Sequence, residues 1–145
     1  MAVKPVPDGY HTVTPYLRVK GAANLIGFMK DAFGAEQTFR MDGPGGAVMH
    51  AEVRIGDSMV MLGDATPELD PVKSSIHLYV NDADAVYKRA LQAGATSLRE
   101  PADQFYGERS AGVRDAFGNE WWLATHIEDV SPEEIQRRAA AMQPG

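Results

Sequence analysis

The chain repeats itself, and that repeat constrains its fold more than any single motif. Asp31-Ala32-Phe33-Gly34-Ala35 matches Leu91-Gln92-Ala93-Gly94-Ala95, so two helices end in the same way. Ile55-Gly56-Asp57-Ser58-Met59-Val60-Met61-Leu62 matches Phe117-Gly118-Asn119-Glu120-Trp121-Trp122-Leu123 in its turn and strand. Self-similarity of this kind means one supersecondary unit used twice, here about sixty residues long each time. Each copy reads strand–helix–strand–strand–strand.

In the first copy, Val13 to Val19 alternates with period two, which predicts a half-buried strand. Pro15 cannot donate to a ladder, so this strand should carry an edge or a bulge. Leu25, Phe28, Met29, Ala32 and Phe33 form one apolar stripe on a helix over Ala22 to Phe33, closed by Gly34 at its C-terminal cap. Strands are expected at Glu36–Met41, Ala47–Ile55 and Ser58–Leu62, with a turn at Asp42–Gly46 and a tight hairpin at Gly56-Asp57. Alternation in the middle strand puts Met49, Ala51, Val53 and Ile55 on one face, and Val48, His50, Glu52 and Arg54 on the other. The second copy runs through a strand at Ser75–Val80, a helix at Ala83–Ala93 and strands at Ala95–Glu100, Gly107–Asp115 and Glu120–Ile127. Asp82 is the expected N-cap of its helix and Gly94 the residue after it. Residues 1–11, with two prolines and Gly9, form an extended lead-in, and 63–73 a polar linker. Ser131-Pro132-Glu133-Glu134 opens a last helix with a capping box and proline at its first position, and Ile135, Ala139 and Met142 give it a weak apolar stripe. The expectation is one α+β domain over 1–145. Module one spans about 12–63, module two about 74–127 and the C-terminal helix about 131–142.

Composition narrows the chemistry. With no cysteine, the chain has no disulfide, no thiolate nucleophile and no cysteine-held metal. A net charge of −6, with Arg137-Arg138 as the longest basic cluster, argues against nucleic acid. No apolar run approaches the roughly 18 residues of a membrane helix. The lead-in lacks the apolar core of a signal peptide, so a cytoplasmic location is expected. No glycine-rich phosphate loop and no nucleophile elbow is present.

Two strand–helix–strand–strand–strand units with helices ending Phe-Gly-Ala and Ala-Gly-Ala resemble the vicinal oxygen chelate superfamily. Glyoxalase I, extradiol dioxygenases and bleomycin-resistance proteins belong to that superfamily. Within it the chain is most similar to the PhnB-like branch. The likeness rests on Thr12 to Val19, on His50-Ala51-Glu52-Val53-Arg54-Ile55-Gly56-Asp57, on Asp103-Gln104-Phe105-Tyr106-Gly107-Glu108-Arg109, and on Arg114 to Trp122. Ala116 stands where the family usually has proline. The resemblance implies two tandem modules forming curled mixed sheets with helices outside, a ligand on the concave face, and a homodimer. It also implies metal-ligand positions at Thr14, Met61, Ser75 and Trp122. None of these side chains suits a divalent ion, so no catalytic metal and no other cofactor is expected. The alternative is a metal-dependent lyase, isomerase or dioxygenase with a rearranged site at His50, Glu52 and His77, with His126 also on the cleft side. Tyr16, Met59, Met61, Tyr79 and Trp122 should line the cleft, with Phe105 and Tyr106 on a nearby loop, which suits a planar ligand. His50, His77, Arg109 and Arg114 are candidates for orienting a polar group on it, and Arg109 and Arg114 are equally candidates for holding the loop that starts at Asp103. The expectation is a metal-independent binder of a small, partly aromatic molecule.

Overall fold

The computed structural model describes residues 2–142; residues 1 and 143–145, the outer bounds of the expected domain, lie outside it. Both modules form. Module one contains β1 (Tyr16–Val19), α1 (Ala22–Phe33), β2 (Glu36–Asp42), β3 (Val48–Ile55) and β4 (Ser58–Asp64). Module two contains β5 (Ser75–Tyr79), α2 (Ala83–Gln92), β6 (Thr96–Asp103), β7 (Glu108–Arg114) and β8 (Glu120–His126). A final helix, α3 (Pro132–Met142), follows. The strand orders are β1-β4-β3-β2 and β5-β8-β7-β6, each sheet with one parallel pair and two antiparallel pairs. The protein is therefore an α+β fold of two tandem modules.

One face of each sheet is dry. Leu17, Leu62 and Ala51 lie side by side across β1, β4 and β3, and all three are buried. Trp121 and Val113 do the same in module two, opposite Ile76. Helix α1 packs its stripe of Leu25, Phe28, Met29 and Ala32 into this layer and lies against α2. Phe33 meets the Trp121 ring at 4.8 Å between centroids, so a single core joins the modules. Burying the larger of these side chains contributes about 1.5–3 kcal/mol each before chain entropy is charged.

Two carboxylates hold the corners. Asp64 at the end of β4 accepts from the backbone N–H of Gly21 and Ala22 at 2.8 and 2.9 Å and from Val48 at 2.7 Å. It thereby caps α1 from across the sheet, and these donors hold its carboxyl below the ordinary value. Asp115 is buried and accepts four bonds, from the backbone of Phe117 and Asn119, the Asn119 amide and the Trp121 indole N–H.

Four local expectations change. β1 begins at Tyr16: Pro15 has no N–H to donate, although its carbonyl still accepts from the Met61 N–H at 2.9 Å. β6 continues to Asp103 through two register shifts around Arg99, which accommodate Pro101. In β3 the partner of Met41 is His50, but the partner of Asp42 is Val48. This bulge turns Val48 into the core and leaves Met49 exposed, the reverse of the simple alternation. The α3 capping box forms in part: Ser131 Oγ accepts from the Glu134 N–H at 3.1 Å. The Glu134 carboxylate turns instead to Arg137 and Arg138, which lower its pKa to about 2. Among the described residues no helix is long and apolar enough to cross a membrane.

Candidate functional site

The face of each sheet opposite its helix is open, and pairing registers place the chemistry there. In module one, Tyr16, Met61, Glu52 and Phe39 stand in one row across β1, β4, β3 and β2. Both oxygens of the Glu52 carboxylate are engaged. Its Oε2 meets His50 Nε2 at 2.8 Å, and its Oε1 accepts from the Tyr10 phenol, which reaches in from the lead-in. His50 Nδ1 lies 3.2 Å from the Tyr16 hydroxyl, and the two rings stack at 5.7 Å. Tyr10 and His50 together hold Glu52 below the ordinary carboxylate value. Burial and the Glu52 charge push the Tyr10 phenol up to about 12. Gly63 makes room for this chain of contacts: a Cβ there would sit 2.8 Å from the Tyr16 hydroxyl and 2.9 Å from the Met49 carbonyl oxygen.

In module two the matching row is His77, Trp122, Gly112 and Arg99 across β5, β8, β7 and β6. Gly112 lies directly under the Trp122 indole, so the ring lies across the sheet where any other residue would lift it. The Arg99 guanidinium sits over the ring at 5.1 Å and donates to Ser110 Oγ at 2.5 Å. The indole N–H donates to Glu120 at 3.2 Å, and Arg114 meets the same carboxylate at 3.4 Å. His77 meets the Tyr79 ring edge-on at 4.9 Å. Glu108 beside Tyr79 raises the phenol above its ordinary value.

The eight expected ligand-binding residues are not gathered into one cavity. His77 and Tyr79 line a space of about 880 Å³ between the modules, walled also by Ile55–Ser58 and the start of α2. Met59 joins His77 in a second space of about 250 Å³ beside the lead-in. Met61 lies with Glu52 and Tyr10 in a third, of about 390 Å³. Tyr16, His50 and Trp122 stand on the open faces as expected. Arg109 is on the other side. It pairs with Asp84 of α2 through two contacts at 2.6 and 2.9 Å and with Asp103 at 3.1 Å. Alternation from Gly112 dictates this: Arg109, Ala111 and Val113 share the helix-facing side. Arg109 therefore ties β7 to a helix and is not a cleft residue.

The inherited metal positions do not fit a divalent ion. Thr14 and Ser75 offer neutral hydroxyls, Met61 a thioether, and the Trp122 nitrogen is already a donor to Glu120. His50 and Glu52 do meet. Among the described residues, however, no group of three or more His, Cys, Asp or Glu side chains is placed to hold a metal, so His77 does not complete a set with them.

Sequence reasoning missed Tyr10, Arg99, Gly63 and Gly112. Gly112 stands inside an expected strand, a signal of close approach that was available in the sequence; Gly63 read as the first residue of the linker, but β4 runs on to Asp64 and takes it in. Tyr10 carried none, because its partner lies 42 residues away.

An uncharacterized protein of Mycobacterium bovis is 38% identical over 144 residues, spanning 92% of this chain and 95% of its own. TioX from Micromonospora sp. ML1 is similar in structure, with TM-score 0.65 and 20% identity over 79% of this chain and 99% of its own. A glyoxalase/bleomycin resistance protein/dioxygenase from Nocardioides has TM-score 0.61 and 18% identity over 91% of this chain and 90% of its own. The sequence pattern of the Glyoxalase/Bleomycin resistance protein/Dioxygenase superfamily matches residues 10–123, and the chain belongs to that superfamily.

Proposed function

We propose that the protein binds a small, partly aromatic molecule on the open faces of its sheets without a catalytic metal. It would sequester or sense that molecule, in the manner of bleomycin-resistance proteins. The observation that carries this reading is the Trp122 indole laid across Gly112, with Arg99 over it and His77 directly opposite. A flat, half-buried ring whose outer face carries, among the described residues, only the exposed Arg99 side chain suits a planar ligand that displaces the guanidinium and offers it a polar substituent. Tyr79 and Met59 add apolar and polarisable surface nearby. The donor set at the inherited metal positions supports metal independence. The stretches from Asp103 to Arg109 and from Arg114 to Trp122 support placement in the PhnB-like branch, and a cytoplasmic homodimer is proposed with it. Large apolar side chains left exposed on the open faces, among them Phe39, Met41 and Tyr79, support a second subunit covering them. The test is an intrinsic-fluorescence titration with a panel of planar aromatic acids, phenols and heterocycles. Saturable quenching by a panel member, absent in Trp122→Phe, is expected. A panel that leaves the emission of the wild type unchanged contradicts the reading.

A further inference from the structure

The lead-in does more than fill space. Residues 2–13 belong to no helix or strand, and among them Tyr10 alone is not exposed. Pro5, Pro7 and a left-handed Gly9 shape the segment, and the Tyr10 N–H closes a turn on the Pro7 carbonyl at 3.1 Å. Val3, Val6 and Val13 point into solvent, and the Lys4–Asp8 pair is exposed. Among the described residues, the hydrogen bond from this segment to the sheet is made by the Tyr10 side chain. The fastening is a phenolic O–H on the Glu52 carboxylate, a charge-assisted hydrogen bond of the strong kind. Glu52 itself is held in place by His50 at 2.8 Å. Beside this contact lies a cavity of about 390 Å³, whose walls include Pro5, Pro7, Tyr10, Thr14, Glu52 and Met61. A cavity that ends on a carboxylate, and whose carboxylate already holds a phenol, is shaped for another phenol.

We propose that Glu52 is the recognition group for a ligand bearing an aromatic hydroxyl, and that Tyr10 is a built-in occupant that this ligand displaces. The proposal rests on the reading that the open face takes an aromatic molecule, and it names the group by which that molecule is read. The ligand hydroxyl would donate to Glu52 Oε1 in place of Tyr10, while His50 keeps Oε2. The ring would take the apolar walls around Met61. Because the latch is intramolecular, it competes at an effective concentration of about a millimolar or more, and free phenols must overcome it.

The probe is 4-methylphenol, the side chain of tyrosine, with 4-methylanisole as the partner that cannot donate. Binding is measured by titration calorimetry on the wild type, Tyr10→Phe and Tyr10→Phe/Glu52→Gln. A hydrogen bond to a charged group sets the scale at about ten- to a hundredfold. Tyr10→Phe, which keeps the ring and drops the competing hydroxyl, is expected to bind 4-methylphenol tighter than the wild type by that factor. Adding Glu52→Gln is expected to remove the gain, and 4-methylanisole to bind at least tenfold more weakly throughout. Equal affinity of the wild type and Tyr10→Phe overturns the latch. Equal affinity for the phenol and its methyl ether in Tyr10→Phe overturns recognition by Glu52 while leaving aromatic binding intact. No binding of either probe by any variant, together with an inert fluorescence panel, sinks the broader reading as well. Should Tyr10→Phe lower the melting temperature, the comparison is repeated below its transition, where the same fold-changes apply.

Discussion

Gly112→Ala puts the Trp122 platform to a direct test. A Cβ at position 112 would lie 2.6 Å from Cε3 and 2.9 Å from Cη2 of the indole, well inside van der Waals contact. The backbone of β7 is held on both sides by β6 and β8, so the ring must move. Trp122 is half-buried and can swing outward, at the loss of Arg99 above it and of the bond to Glu120. Overpacking costs about 1–3 kcal/mol, and a largely exposed cation–π contact about 0.5–1. The variant should therefore lose about 1–2 kcal/mol, which is about 3–8 °C in melting temperature for a domain of this size. Acrylamide quenching supplies the second readout. Trp121 is 0% exposed and stays dark to the quencher, so any gain in accessible fluorescence belongs to Trp122. A lower Tm with a larger accessible fraction is expected. Unchanged Tm and unchanged quenching would show that the indole does not rest on Gly112, and the planar platform would fall with it.

Asp115→Ala should be the more damaging change, because it strands the Trp121 indole N–H and the Asn119 amide in a dry core. A loss of about 3–5 kcal/mol by urea denaturation is expected. A loss below about 1 kcal/mol would mean that water replaces the carboxylate. His126 lies 2.7 Å from Asp129 and 3.6 Å from Glu108, which raise its pKa in the folded state. The stability it contributes is therefore complete below the unfolded histidine value of about 6.5 and is lost as pH rises through the higher folded value. The urea midpoints of wild type and His126→Gln should differ at about pH 5.5 and converge by about pH 8.5; a constant gap would contradict the pairing. Light scattering at micromolar concentration should give twice the 15.8 kDa mass of the chain, and a monomer would remove the proposed homodimer.

The two modules were legible because their periodicities are local. The α1 stripe and the strand alternations each need fewer than about twelve consecutive residues to be read. Val48 and Met49 escaped because a bulge costs nothing visible in sequence, yet it reverses every side chain beyond it. Arg109 had no face assigned from the sequence, because nothing in β7 read alone says which of its sides the helix covers; the structure gives it the loop-holding role, to Asp103 and also to Asp84 of α2. Gly112 marks the open side, since only its side can receive Trp122. The Tyr10–Glu52–His50–Tyr16 chain is tertiary throughout except for one i,i+2 step along β3. Its parts were visible as residue types but not as neighbours. Tyr10 in particular sits in a segment whose prolines and glycine report only that it is irregular.

Thermal shift on chelator-treated protein tests most directly whether the protein binds an aromatic molecule without a metal. Protein dialysed against EDTA and shown metal-free by elemental analysis is melted with and without each panel compound. A ligand of the native state raises Tm in proportion to ln(1 + [L]/Kd). At least one planar aromatic compound is expected to raise Tm in this way, by the same amount before and after chelation. A rise that disappears on chelation and returns with a stoichiometric divalent ion would contradict the account.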